Sequence, residues 1–430
     1  LNPAPAQWSR PNLVFILADQ WRAQALPCAG DPDLVAPSLS RLAREGMHCR
    51  RAYATNPACS PSRASIITGR WPHACRVGRN DVLLPLDQPS IAAQLKQSGY
   101  ATAYIGKWHL DGGEQPGFVP PGPRRRGFEY WAAFNRGHRY FNSTYFRDST
   151  EPVRRDTFEP DYQTDLAVDF IRINRTRPFY LYLSWGPPHP PRTPLPSQTE
   201  RYDPRQFHPA PNVPEHHVQQ ARDAMAKYYA FCSALDGNLG RLLESIDQAG
   251  VYGNTIVVFT SDHGDMLGSQ GLEDSGQAFE ESASIPLLIR FPGRLPAGRS
   301  TDLLISNADI MPTLLGWCGA AVPRAVQGRD LTGILTNQQD ARSESVYVQG
   351  QIGQPSEWRM VVRGLDKFIV NVAMEVTGLY NLGQDPYEQR NLAGSGAHAL
   401  VRDELRAHLL DWKKKLRDGL DPSGLRIRQR

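Results

Sequence analysis

The chain has 430 residues, 40% of them apolar and 21% charged, with 48 Lys and Arg against 44 Asp and Glu for a net charge of +4. That length suits a large α/β domain with a smaller partner rather than one minimal core. So mild a positive balance excludes an argument for nucleic-acid binding, while fitting an anionic substrate.

In chain order, Asn2-Pro3-Ala4-Pro5-Ala6 after a first residue that is not methionine reads as a leader left by processing, so a periplasmic or secreted location is expected. Residues 12–18 are an apolar run that predicts a buried parallel strand, delivering Asp19 and Gln20 at the sheet edge where open α/β folds bind ligands. A helix is expected over 38–45. Next comes Cys59-Ser60-Pro61-Ser62-Arg63, where Pro61 suits a first helical turn and residues 64–67 continue it. Cys59 would then sit at a helix N-terminus, whose free N–H groups favour anions. A helix over 90–98 and a strand over 100–105 follow. The basic runs at 124–126 and 136–139 read as solvated loops.

Strands are expected at 179–184, 255–260 and 286–290, the second of them ending at Ser261-Asp262-His263-Gly264 and so repeating the arrangement at Asp19. Residues 186–217, rich in Pro and His, read as a long ordered loop, and 221–249 as one long helix. From residue 346 the pattern changes to short alternating strands at 346–349, 359–363, 367–370 and 378–381, then an amphipathic helix over 397–418 whose Lys413-Lys414-Lys415 run reads as a solvated face. The expected fold is α/β: a large domain over 1–335, with a central, mostly parallel sheet between helices, and a small C-terminal α+β domain over 336–430 with a short antiparallel sheet and a packed helix. No apolar run approaches the ~20 residues that span a bilayer. The six cysteines, at 28, 49, 59, 75, 232 and 318, lack the spacing of a disulfide scaffold or a zinc site.

Several separated segments carry a resemblance: residues 11–20, ending in Asp19-Gln20; Cys59 to Gly69; residues 99–109, ending in Gly106-Lys107-Trp108-His109; Pro187-Pro188-His189-Pro190; Ser261-Asp262-His263-Gly264; and Leu379-Tyr380-Asn381-Leu382 with Asp385-Pro386 and Asn391-Leu392. Together and in this order they resemble the type I, formylglycine-dependent sulfatases of the alkaline-phosphatase superfamily. The resemblance implies an alkaline-phosphatase-like fold and oxidation of Cys59 to an aldehyde by a formylglycine-generating or anaerobic maturation enzyme. One hydroxyl of the aldehyde hydrate attacks sulfur; the other later expels sulfate by re-forming the carbonyl. Serine has no second hydroxyl with which to do this.

Hard oxygen donors around a divalent cation suit such a step, and Asp19, Gln20 and Asp262 with His263 and the modified Cys59 are the expected ligands. Ca²⁺ is the ion the resemblance implies, with Mg²⁺ or Mn²⁺ left open by the amide and imidazole. Arg63 would hold the hydrate. Lys107 and His109 alternate by two and would share a face if the strand continues, supplying a cation for sulfate and a base. The resemblance makes His189 a sulfate contact or proton donor and Asn80 a substrate-contacting amide.

The family pattern is broken in places. Ser275 aligns opposite a lysine, Gln270 opposite a common histidine, Gln20 opposite a common aspartate, and Ala58 where a larger residue is preferred. Loss of a sulfate-facing cation costs ~3 kcal/mol in a dry site. His138 and Arg139 are the candidates to replace it and to bind substrate. Aromatic and basic residues interleave over 130–141, which suits a sulfated carbohydrate. Phosphonate monoester or phosphodiester hydrolysis on the same scaffold, and a non-catalytic sulfoglycan-binding protein, are the rival expectations.

Overall fold

A computed structural model describes residues 10–193, 201–337 and 345–419. The leader at 2–6, part of the 186–217 loop and the last residues of the small domain lie outside the described residues. The central sheet has eight strands, in the order Arg299–Thr301, Met47–Cys49, Leu287–Arg290, Thr255–Ser261, Asn12–Asp19, Phe179–Pro188, Ala101–Lys107, Tyr130–Phe134. The last five run parallel to one another. Leu287–Arg290 is antiparallel to Thr255–Ser261.

The central strand shows why a continuous apolar run was needed. Successive side chains leave a strand on opposite faces. Leu13, Phe15 and Leu17 enter a core with Ile67, Leu95 and Leu314, while Val14, Ile16 and Ala18 enter another with Leu42, Phe170 and Leu239. Helices Cys59–Thr68, Ile91–Gln97 and Ile310–Trp317 cover the first face; Pro37–Glu45, Glu159–Asn174 and Val218–Gln248 cover the second. Helix Glu159–Asn174 was not expected, although Pro160 near its start and acidic Glu159 and Asp161 in its first turn are N-terminal signals.

The C-terminal sheet is antiparallel in simple sequence order, Ser345–Gly350, Trp358–Arg363, Asp366–Asn371, Val376–Asn381. One face packs Tyr347, Val361 and Phe368 on Leu405 and Leu409 of helix Ala399–Leu416. The other packs Val346, Val348 and Met360 on Tyr53 and Ala283 of the larger body. The two bodies also share an ionic contact: fully buried Lys367 places Nζ 2.8 Å from Glu280 Oε1, 2.7 Å from Glu388 Oε1 and 2.9 Å from the Ala278 carbonyl. The expected division between 335 and 336 falls inside the short helix Thr332–Asn337.

Some surface expectations are corrected. Lys413 is buried, its Nζ 3.7 Å from Met374 Sδ, and burial pushes its ammonium down to about 8. Arg125 and Arg126 are also buried, because loop carbonyls supply their acceptors: Val119 O for the first, Leu86 O for the second. Trp131, Phe134 and Tyr140 are core residues rather than exposed sugar platforms.

Candidate active site

Each of the parallel strands at the centre of the sheet ends at the same place. Asp19 and Lys107 are the last residues of their strands, Asp262 and His263 follow Ser261, and His189 follows Pro188. Ala18 pairs with Ser261, so the two acidic strand ends lie side by side. Gly106 permits the approach of the Lys107 strand, since at φ 102° a Cβ there would lie 2.0 Å from the Ser184 carbonyl oxygen. Cys59 opens helix Cys59–Thr68, buried along its whole length.

One donor atom each from Asp19, Cys59, Asp262 and His263 lie within 4.8 Å of one another. Cys59 Sγ is 3.6 Å from Asp19 Oδ1, 3.3 Å from His263 Nε2 and 3.8 Å from Lys107 Nζ. His263 Nδ1 sits 2.9 Å from the Gly264 carbonyl, which assigns it the proton and turns Nε2 to the cluster. Arg63, one turn after Cys59, clamps both carboxylates, Nε to Asp262 Oδ2 at 2.9 Å and Nη2 to Asp19 Oδ2 at 3.1 Å. Its Nη1 donates to the Lys107 carbonyl and to Ser184 Oγ, both at 2.8 Å. Its hydrogen bonds thus go to the two carboxylates, the Lys107 carbonyl and Ser184. Lys107 Nζ is bonded to Asp19 Oδ2.

The charges set one another. Burial alone would raise the Asp19 carboxyl, yet Lys107 and Arg63 hold it well below the usual carboxylate range. Burial and Asp19 push the Cys59 thiol up, but Lys107 and His263 outweigh them and bring it down to about 7. Burial disfavours His263 imidazolium, and Asp262 with Cys59 overcomes this, lifting it to about 10.

Gln20 adopts a left-handed backbone, φ 67°, which places its own N–H 3.0 Å from Asp262 Oδ1. Its side-chain Nε2 donates to Asp265 Oδ2 at 2.7 Å and Asp274 Oδ1 at 2.8 Å. Two carboxylates therefore claim both amide hydrogens, and Oε1 is left buried with no partner among the described residues. Two aspartates and an imidazole nitrogen in one cluster, with an orphaned amide oxygen on the residue that follows Asp19, fit a divalent cation.

The expected shared face of Lys107 and His109 does not form. The strand stops at Lys107, and His109 has φ 58°, so the alternation of two does not extend to it. His109 Nε2 lies 3.0 Å from Asp81 Oδ1, whose other oxygen takes Arg136 Nη1 at 2.7 Å. Burial, with Lys107 and Arg63, drives His109 well below its ordinary value, leaving Nε2 as the N–H and Nδ1 as a buried, unpartnered acceptor. Asn80 is exposed, and its Oδ1 accepts the Ser60 N–H at 2.9 Å at the start of the Cys59 helix. His189 stacks flat on His138, centroids 3.7 Å apart. Burial opposes a charge on His189, but Asp19 and Cys59 raise it overall.

Comparison with known proteins bears on what this cluster is for. Residues 11–320 match the sulfatase family model, and residues 268–415 match the C-terminal model of N-sulphoglucosamine sulphohydrolase. The chain is 32% identical to the ulvan-active sulfatase of Formosa agariphila, over 93% of this chain and 80% of the relative. The chain belongs to the sulfatase family. Among further relatives of this sulfatase, the N-acetylglucosamine-6-O-sulfatase of Bacteroides thetaiotaomicron is 26% identical over 98% of this chain and 89% of that one. The multifunctional alkaline phosphatase superfamily protein PehA of Trinickia caryophylli is 27% identical over 94% of this chain and 95% of its own. The yidJ sulfatase structure from Bacteroides fragilis superposes with a TM-score of 0.90 at 27% identity, covering 99% of both chains. A structure in complex with its substrate D-glucosamine-2-N,6-O-disulfate has a TM-score of 0.86 at 25% identity, covering 96% of this chain and 99% of its own.

In this sulfatase Ser275, expected opposite a lysine, is half-buried next to the Asp274 that holds Gln20. Gln270 has turned to the C-terminal unit, donating to the Tyr387 and Glu388 carbonyls at 2.9 and 3.2 Å. Burial, Lys107 and His189 bring His138 down to about 2, which disfavours it as the cation expected to stand in for a lysine. Arg139 is exposed and has no ion pair among the described residues. Sequence reasoning missed Arg192, which is paired with Asp265, donates from Nε to the Pro188 carbonyl at 2.9 Å and lies 4.9 Å over the Tyr228 ring. Its signal was masked by the surrounding prolines.

Proposed function

We propose that this sulfatase hydrolyses a sulfate ester on a sulfated carbohydrate or polysaccharide, using a formylglycine made from Cys59 and a divalent metal. The observation that carries the reading is the convergence of Cys59, Asp19, Asp262 and His263, with the orphaned Gln20 oxygen, at the end of a helix and two paired strands. Relatives that act on ulvan or on N-acetylglucosamine 6-O-sulfate support the carbohydrate class.

In this reading Asp19, Gln20, Asp262 and His263 hold the metal, most simply Ca²⁺ for so oxygen-rich a set, which when bound neutralises sulfate charge and acidifies the nucleophile. The aldehyde that a maturation enzyme makes from Cys59 would add water to give a hydrate, one hydroxyl of which would attack sulfur while the other would later release sulfate. Lys107 faces the sulfate; Arg63 keeps the two carboxylates apart and oriented. His109 receives a proton on Nδ1, its tautomer fixed by Asp81, and His189, raised above its ordinary value, gives one to the departing alcohol. Asn80, His138 and Arg139 meet the substrate. A polysaccharide substrate agrees with a periplasmic or secreted enzyme. No helix among the described residues is long and apolar enough to cross a membrane.

Release of sulfate from aryl sulfate and from defined sulfated oligosaccharides, by protein whose intact mass shows oxidised Cys59, tests the reading. Oxidised protein that binds these sugars without releasing sulfate would instead be a non-catalytic sulfoglycan binder. Phosphonate monoester hydrolysis is kept as a second reading by Gln20 and His263 in the donor set. Aryl phosphonate turnover exceeding aryl sulfate turnover would favour it.

A further inference from the structure

Residues around 135–142 wall a cavity of about 390 Å³, lined among others by Gln115, Arg136, His138, Arg139, Asn142 and Glu159. It adjoins the reaction centre at two points. His138 is part of its wall, and the His138 ring lies flat on His189, itself within hydrogen-bond reach of Cys59. Arg136 is another part, and it holds the Asp81 carboxylate that holds His109. A ring in this cavity would touch His138, on which His189 stacks, and Arg136, which reaches His109 through Asp81.

The charges of the lining are uneven. Arg136 is balanced by Asp81, and its remaining edge faces the Gln115 amide. His138 is neutral. Glu159 is buried, its carboxyl pushed up to about 8 by that burial, and its Oε1 has no partner among the described residues. Among the described residues of the lining, Arg139 alone carries a charge with no ion-pair partner. A cavity with one free cation and two neutral hydrogen-bonding groups suits an anion that also offers hydroxyls.

We propose that this cavity is a subsite for the sugar adjoining the sulfated one, and that it selects a ring carrying an anionic group, a carboxylate or a second sulfate, received by Arg139 while Glu159 bonds a ring hydroxyl. The inference rests on the sulfatase reading above.

The test uses three disaccharides with the same scissile sulfate, the neighbouring ring bearing a carboxylate, a second sulfate, or the corresponding alcohol. The parent enzyme should favour one or both anionic forms over the alcohol by ~10-fold or more in kcat/KM, and Arg139→Ala should collapse that preference. A better carboxylate substrate assigns a uronate; a better disulfate assigns a second sulfate. Equal loss on all three substrates in Arg139→Ala, or a parent indifferent to the neighbouring anion, overturns the proposal. Calorimetric binding of the same three sugars gives the same comparison without turnover. Anion-selective binding lost in Arg139→Ala, with no sulfate released from any disaccharide or from aryl sulfate, would sink the sulfatase reading and leave the subsite standing.

Discussion

Cys59 is worth replacing in two ways. Cys59→Ala and Cys59→Ser should both fold and both lose multiple turnover, because neither side chain can become an aldehyde. Steady-state sulfate release checks this, and parent-like turnover in the serine variant would disprove the formylglycine route. Glu159 makes a separate prediction through stability. Its folded value, about 8, lies above its ordinary 4.5, so the folded chain keeps a proton that the unfolded chain loses. Its contribution is therefore complete below pH 4.5 and is lost as pH rises through about 8. Glu159→Gln, which cannot ionise, should lose less stability than the parent between about pH 5 and about pH 9, read from urea midpoints. Ser275→Lys tests whether the site lacks a cation. If Arg192 already serves, the new lysine changes aryl sulfate turnover little and Arg192→Ala lowers kcat/KM by ~10²-fold. If nothing serves, Ser275→Lys raises turnover.

At the scale of elements, the site is a product of strand ends. Asp19 and Asp262 were legible because each closes an apolar run with an acid, a pattern that needs no tertiary knowledge. Cys59 and Arg63 were legible because a helix with Pro61 in its first turn fixes their spacing of four. His109 was not placed correctly, since a left-handed residue after a strand leaves no periodic trace. Asp81, Asp265, Asp274 and Arg192 were invisible for a related reason: they lie in loops and act only through partners far away in the chain. The approach of strands predicts a severe effect for Gly106→Ala. A methyl 2.0 Å from the Ser184 carbonyl must push the Lys107 strand away from its neighbour. Destabilisation should reach the upper end of the ~0.5–3 kcal/mol usual for single changes, with loss of activity exceeding loss of folded protein. Metal removal acts on the same strand ends. Exhaustive chelation should abolish turnover and lower the Tm, and added Ca²⁺ should restore both in the parent but not in Asp262→Ala.

At the scale of the molecule, alternation told of two bodies, one with a mostly parallel sheet and one with an antiparallel sheet, but not of what joins them. Lys367, Glu280 and Glu388 are 87 and 108 residues apart along the chain in their contacts with one another, Lys367 with Glu280 and Glu280 with Glu388. No local pattern marks such a meeting. Lys367→Met would leave two carboxylates buried without their cation and should cost ~3–5 kcal/mol, read from denaturant midpoints. The wider consequence concerns cooperativity. Separating the bodies in solution would strand Glu280 without its ammonium and leave Lys367 with Glu388 alone, so partial unfolding is penalised at the join. Calorimetry of the intact chain should give one transition rather than two, and either body expressed alone should behave as an incompletely folded protein.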